Sequence, residues 1–267
     1  MTDAWSETDI SHWGADAVDL SGHNLPSLKA RFLVEHTPEH GKLIEIGSGD
    51  GKMLRTLART RPQLELYGCD VREPLTPPDV YQFFKIEQRI PIPDDQMDVV
   101  LIFDVLEHVP DPDATLAEAA RICRPGGKLV AFIPVEGQPV SWYELYRRAF
   151  GRNIYEITKE HVQSFTHAGL RELIERYFAI SEIRYAYHFL GQLMDATFFA
   201  AARRRRVREF WWTENVYYNP EKKLGVGSRT INRLLELGNV IAWAESTTLS
   251  RARFGSAGIL IEGQCRE

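Results

Sequence analysis

Lys42-Leu43-Ile44-Glu45-Ile46-Gly47-Ser48-Gly49-Asp50-Gly51 is the stretch from which the rest of the chain is read. An apolar run ends in a cluster of glycines, and an amphipathic segment, Lys52-Met53-Leu54-Arg55-Thr56-Leu57-Ala58-Arg59-Thr60, follows at once. The pattern predicts a buried strand, a sharp turn and a helix. Glycines let the backbone turn and let a ligand approach with no Cβ in the way. The free N–H groups and dipole of the helix start favour an electron-rich ligand group. Dinucleotide sites read Gly-x-Gly-x-x-Gly. Here the spacing is Gly-x-Gly-x-Gly, and Glu45 stands two residues before the first glycine. A carboxylate there repels a pyrophosphate.

Outward from this turn, apolar runs alternate with helical patterns. Glu65–Asp70, Tyr81–Ile86, Met97–Asp104 and Lys128–Val135 read as strands. Leu25–His36 and Asp113–Arg124 read as helices, the second stopped by Pro125-Gly126-Gly127. Continuous apolar strands with helices between them predict a parallel sheet covered on both faces. Farther on, Thr166–Phe178 carries a helical stripe, and Ile180–Phe189 and Ser256–Cys265 read as the last strands. Leu190–Gly255 separates those two strands and holds two helical patterns. The domain expectation is a loose arm or lid over 1–24, a core over 25–189 and 256–267, and a helical cap over 190–255.

The chain has 267 residues, 44% hydrophobic and 26% charged, with a net charge of −5. These are ordinary globular values, and no overall basic field for nucleic acid exists. Cys69, Cys123 and Cys265 are widely spaced and form no Cys-x-x-Cys pair, so free buried thiols are expected rather than zinc or redox chemistry. The first residues, MTDAWSETDISHWG, lack the basic region and apolar core of a signal peptide. No apolar run reaches the roughly 18 residues of a membrane span. A cytoplasmic location is therefore expected.

Glu45-Ile46-Gly47-Ser48-Gly49-Asp50-Gly51 matches every position of motif I, [Glu/Asp]-x-Gly-x-Gly-x-Gly, of the class I (Rossmann-like) S-adenosylmethionine-dependent methyltransferases. Asp70 ends the second strand, where that family has an acid for both ribose hydroxyls. Ile90–Pro112, Arg121–Pro134 and Glu160–Phe178 are similar to later segments of its small-molecule, ubiquinone-biosynthesis-type members. The resemblance covers Lys42–Phe178 and the last strand. It implies an α/β fold, a doubly wound, mainly parallel seven-stranded sheet with the helical cap inserted before the last strand. It also implies S-adenosylmethionine as cofactor, bound by Glu45, Gly47, Ser48, Gly49, Gly51, Asp70, Val71, Glu87, Gln88, Asp104 and Val105. One departure concerns adenine: Ile86 stands where many relatives have an acid, which leaves Glu87 or the backbone near Gln88 for that role.

The acceptor floor of such enzymes lies past the fourth strand, at Asp104-Val105-Leu106-Glu107-His108. His108 has three readings: a positioning group under the cofactor, a general base, or a metal ligand, since Asp-x-x-Glu-His resembles the Glu-x-x-Glu-His clusters of some metal-dependent relatives. Asp104 in place of Glu weakens the last, and no metal is expected. His161 is either a loop residue or a second catalytic group. Trp142 and Tyr143 are expected to pack rather than bind acceptor. The leading function is O-methylation of a small acceptor with an apolar or aromatic part. The alternatives are a lipid or macromolecular acceptor with N- or C-methylation, a nicotinamide-dependent oxidoreductase disfavoured by the glycine spacing, and a non-catalytic scaffold. Nucleic acid is not an expected partner. The cap is expected to close over the acceptor with Phe198, Phe199, Phe210, Trp211, Trp212, Tyr217, Tyr218 and Trp243, though these aromatics equally suit packing or a homodimer interface. Arg203–Arg206 read as a solvated helix end, a peripheral membrane contact or an anion site.

Overall fold

The computed structural model describes residues 17–151, 161–202, 204 and 226–266. Helix α1 (Leu25–His36) begins where the Asn24 side chain accepts the Ser27 N–H, with a proline in its first turn where no donor is lost. Then come β1 (His40–Ile46), α2 (Lys52–Thr60), β2 (Gln63–Asp70), β3 (Gln82–Lys85), β4 (Met97–Phe103), α3 (Pro112–Ile122), β5 (Cys123–Pro134), α4 (Trp142–Phe150), α5 (His167–Glu175) and β6 (Phe178–Ala186). Helices α6 (Phe189–Ala202) and α7 (Val226–Thr248) precede β7 (Gly258–Cys265).

The seven strands form one sheet in the order β3-β2-β1-β4-β5-β7-β6. All neighbours pair in parallel except β7, which is antiparallel to both β5 and β6. Alternation along each strand feeds two cores. Ile44, Val100 and Ile102 pack with Leu116, Leu170 and Ile174 on the α3 and α5 face. Leu43, Val99 and Leu101 pack with Phe32, Leu33, Leu54 and Leu57 on the α1 and α2 face. Both faces are covered, which is why the strands read as unbroken apolar runs. The chain reverses direction across the sheet between β1 and β4, and the C-terminal ends of these strands open the crevice where such sheets bind ligands.

Several boundaries differ from expectation. Helix α3 stops at Ile122, and Pro125-Gly126-Gly127 lies within β5. The pairing jumps there, from Met97↔Cys123 to Val99↔Lys128, so Arg124–Gly127 stand outside the ladder opposite Asp98, Gly126 takes a left-handed φ of 73°, and continuous pairing with both neighbouring strands starts at Lys128, where the strand was expected to begin. Helix α5 ends at Glu175, and the fully buried Phe178 opens β6. Helix α4, capped by Ser141, has no counterpart among the expected elements.

The arm over 1–24 is not loose where it is described. Val18 donates its N–H to Thr56 Oγ1 at 2.8 Å, and Ser27 Oγ donates to the Asp19 carbonyl; residues 1–16 lie outside the described residues. In the 190–255 segment, α6 and α7 form an antiparallel pair: Gly191 meets Ala242 and Gly238 meets Met194. Glu245 of α7 accepts the Leu190 N–H at 2.9 Å, placing a carboxylate at the positive end of α6. Helix α6 leans on α4 through Tyr143 Oη to Asp195 Oδ2 at 2.8 Å and Trp142 N–H to Gln192 Oε1 at 2.9 Å. Trp243 stacks edge-on against His23 with centroids 4.3 Å apart and faces the Arg31 guanidinium at 5.5 Å, so it packs on the α1 side. Phe210, Trp211, Trp212, Tyr217, Tyr218, Arg203, Arg205 and Arg206 lie outside the described residues, as do the side chains of Phe198 and Phe199. All three cysteines are free and buried.

Candidate active site

The glycine turn leaves β1 with Gly47, Gly49 and Gly51 all at positive φ (73°, 49° and 77°). Only glycine takes this conformation without strain. Space gives a second reason: a Cβ on Gly47 would run into Val105, and one on Gly51 would strike the Tyr81 ring. The turn is tied to β2, with Gly47 N–H donating to the Cys69 carbonyl at 2.8 Å. Asp70 anchors it further. Its Oδ2 accepts from Gly49 N–H at 3.0 Å and its Oδ1 from Arg72 N–H at 3.1 Å. The carboxylate is thus fixed in orientation, and each oxygen keeps a lone pair for a ligand hydroxyl. Asp50 braces the turn from outside by accepting the Leu75 N–H at 2.7 Å.

Glu45 is 5% exposed beneath this turn. Burial, then the nearby Asp70 and Asp104, push its carboxyl well above the usual range. Its Oε2 has no hydrogen-bond partner, and neither do Ser48 Oγ and Tyr81 Oη close by. Buried polar atoms left without partners are costly. A ligand bearing positive charge and donors relieves the cost at Glu45, which is the fit expected of a site for a cationic ligand. Val71 is exposed beyond Asp70, and Glu87 and Gln88 are exposed past β3. These residues lie along the same strand ends, but the structure assigns them no contact.

At the end of β4, Asp104 takes a left-handed φ of 53° and its carboxylate pairs with Lys29 of α1. The Lys29 ammonium also lies 3.8 Å from the centre of the Phe132 ring. Glu107 follows, 2% exposed. Burial and Asp104 raise its carboxyl, His161 pulls back, and the result is about 8. His161 forms a 2.8 Å ion pair with the buried Glu136. Burial alone would neutralise the ring, but Glu136, with Glu107 and Asp104 behind it, lifts it to about 9. The loop carrying His161 is clamped to β4: Val162 and Gln163 N–H both donate to the Glu107 carbonyl, at 2.8 and 3.0 Å. The His108 and His161 rings meet edge-on, centroids 4.8 Å apart.

The structure therefore brings both expected catalytic histidines together. It also places the expected cofactor residues Glu45, Gly47, Ser48, Gly49, Gly51, Asp70, Asp104 and Val105 around the ends of β1, β2 and β4. Donor atoms of Glu107, His108 and His161 lie within 4.8 Å of one another. In this arrangement His161 is a cation held by Glu136, and a metal ion would have to displace its proton. Asp104 is engaged by Lys29. Sequence reasoning missed Lys29 and Glu136. No local signal marks Lys29, which reaches Asp104 across 75 positions. Glu136, an acid just past the end of β5, had a usable signal, because strand ends carry the ligands in this architecture.

The model of the family described as "Methyltransferase domain" matches residues 21–177. The ubiquinone biosynthesis O-methyltransferase of Hahella chejuensis is 28% identical over 148 residues, which are 50% of this chain and 61% of that protein. The chain thus spans less than two thirds of that relative. Among solved structures, phosphoethanolamine N-methyltransferase 2 of Haemonchus contortus, in complex with S-adenosyl-L-methionine, superposes with a TM-score of 0.55 at 14% identity, over 90% of this chain and 52% of that one. The [4+2]-cyclase SpnF gives 0.56 at 14% identity, over 90% and 81%. These likenesses show a fold that hosts more than one chemistry. The family match, the glycine turn and the unpartnered buried acid beneath it decide among them: the chain belongs to the methyltransferase-domain family, within the class I S-adenosylmethionine-dependent methyltransferases.

Proposed function

We propose that the protein transfers the methyl group of S-adenosylmethionine to a hydroxyl of a small acceptor with an apolar or aromatic framework. The observation that carries this reading is the edge-on pair His108–His161 at the end of β4, backed by the buried carboxyls of Glu107 and Glu136. The cofactor supplies a methyl on a cationic sulfur, already activated for in-line transfer. Glu45 would face its charged methionine end, and Asp70 its ribose. What remains for the protein is to hold an oxygen nucleophile in line, remove its proton and keep water out. His108 is the more exposed of the two rings, 35% against 14% for His161, and would accept the hydroxyl proton. His161, held charged by Glu136, donates a hydrogen bond that stabilises the oxygen as it becomes anionic. Helices α4 and α6, latched by Tyr143 and Asp195, would form the wall on the acceptor side. The O-methyltransferase name of the relative from Hahella chejuensis supports an oxygen acceptor.

The test compares a ring hydroxyl bearing an apolar tail with the matching ring amine, following release of S-adenosylhomocysteine. The hydroxyl is expected to turn over, and His108→Ala to lower kcat by about 100-fold or more, as loss of a general base does. Turnover of the amine alone, or His108→Ala with undiminished kcat, would overturn the assignment.

A further inference from the structure

Cys123 and Cys265 stand at the end of the sheet opposite the glycine turn, at the start of β5 and the end of β7. Neither takes part in the site described above. The two strands are antiparallel neighbours, and their register sets Lys128 opposite Gln264. Cys265, one position on, therefore falls beside Gly127. Cys123 reaches the same place because Arg124–Gly127 leave the ladder. A Cβ on Gly127 would lie 2.7 Å from Cys123 Sγ, so the glycine makes room for that sulfur.

The two sulfurs meet in this space. Cys265 Sγ lies 3.8 Å from the Cys123 carbonyl oxygen and 3.7 Å from that of Ala120, in the last turn of α3. Cys123 Sγ lies 3.9 Å from the Lys128 carbonyl oxygen. The Cys123 thiol donates a weak hydrogen bond to the Cys265 sulfur. Thiols in mutual contact on adjacent strands are within the reach of a disulfide. Their hydrogen bond makes Cys265 the more acidic of the two, although burial raises both. Cys265 is also the one nearer solvent, 8% exposed against 0% for Cys123. Past it, one long backbone bond holds the described chain, from Arg266 N–H to the Tyr177 carbonyl at 3.3 Å.

We propose that Cys123 and Cys265 form a disulfide when the protein meets a peroxide, and that this bond staples β7 into the sheet. The Cys265 thiolate attacks one peroxide oxygen, giving a sulfenic acid and, after proton uptake, water. The Cys123 sulfur then attacks the sulfenic sulfur, and its proton leaves with the hydroxyl as a second water. Two thiols lose two electrons and two protons in all, and one peroxide is reduced to two waters. Burial keeps both thiols protonated in the closed fold, so the first step is slow and waits on opening at Arg266. The bond joins residues 142 positions apart, which restricts the unfolded chain strongly. Cys69 ends β2, at the other end of the sheet, and is an internal control. The inference is independent of the reaction and acceptor assigned above.

The experiment exposes the full chain to hydrogen peroxide, alkylates it in denaturant with iodoacetamide and maps its peptides by mass spectrometry. The Cys123 and Cys265 peptides are expected joined, two hydrogens lighter than their sum and separable by dithiothreitol, with Cys69 alkylated. The Tm of the oxidised protein is expected to rise by about 5–15 °C. The rise should persist in Cys69→Ala and vanish in Cys265→Ala. Alkylation of all three cysteines after prolonged exposure, a sulfinic acid at Cys265 with Cys123 still free, or a bridge to Cys69 would overturn the proposal. A bridge that leaves Tm unchanged would overturn the staple.

Discussion

Replacing Glu136 with glutamine keeps the side-chain volume and removes the charge that holds His161 protonated. The His161 ring titrates at about 9 against an ordinary 6.5. At 1.36 kcal/mol per pH unit that difference is worth about 3 kcal/mol. The ring is only 14% exposed, so solvent screening removes little of it. The folded-state value is raised, so this stabilisation is complete below pH 6.5 and is lost as pH rises through 9. In Glu136→Gln the burial that opposes the charge is no longer outweighed, and the midpoint is expected at 6.5 or below. At pH 7 the variant should be less stable by about 2–3 kcal/mol, and the deficit should shrink above pH 9. Imidazole titration by two-dimensional NMR and urea unfolding at a series of pH values measure the two effects. A His161 midpoint that stays near 9, or a stability deficit independent of pH, would refute the ion pair as the cause.

Asp70→Ala should weaken S-adenosylhomocysteine binding by about 2–4 kcal/mol in calorimetry, because charge-assisted hydrogen bonds are lost and Gly49 loses its tether; an unchanged Kd would place the ribose elsewhere. Gly47→Ala should abolish detectable cofactor binding and lower Tm, since the new methyl meets Val105 at a left-handed φ of 73°; normal binding would show that the turn relaxes freely. Chelation should leave methyl transfer within about twofold, as the Glu136-held charge on His161 opposes a cation, whereas loss of activity restored by magnesium would make Glu107, His108 and His161 a cation site. Tyr143→Phe removes the bond to Asp195, worth about 1 kcal/mol, and should raise KM for the acceptor while cofactor affinity stays constant; a fall in cofactor affinity instead would detach α4 from the acceptor side.

The glycine turn and Asp70 were legible because the pattern that builds them is local. A strand, three glycines and an acid occupy consecutive positions, and Asp70 follows at the end of the next strand. The sheet was legible for a related reason: strands covered on both faces must be apolar throughout, as Met97–Phe103 is. The cluster past β4 was only partly readable. His108 and His161 were visible as residue types at strand and loop ends, but not as a pair, because their meeting depends on a backbone clamp between Glu107 and residues 162–163. Lys29 was invisible for the same reason, its partner being set by the packing of α1 on the sheet.

Strand β7 is the last of the described strands in sequence yet lies between β5 and β6, pairing from Lys128 to Pro134 on one side and from Phe178 to Ala186 on the other. Until Gly258–Cys265 has been synthesised, the sheet has an open slot with two unpaired edges. Exposed edges are templates for association, and pairings between residues so far apart in sequence form slowly. A nascent chain arrested before β7 is therefore a sticky species rather than a smaller working enzyme, and a chaperone that shields the slot during synthesis would have the most to protect between the emergence of β6 and that of β7.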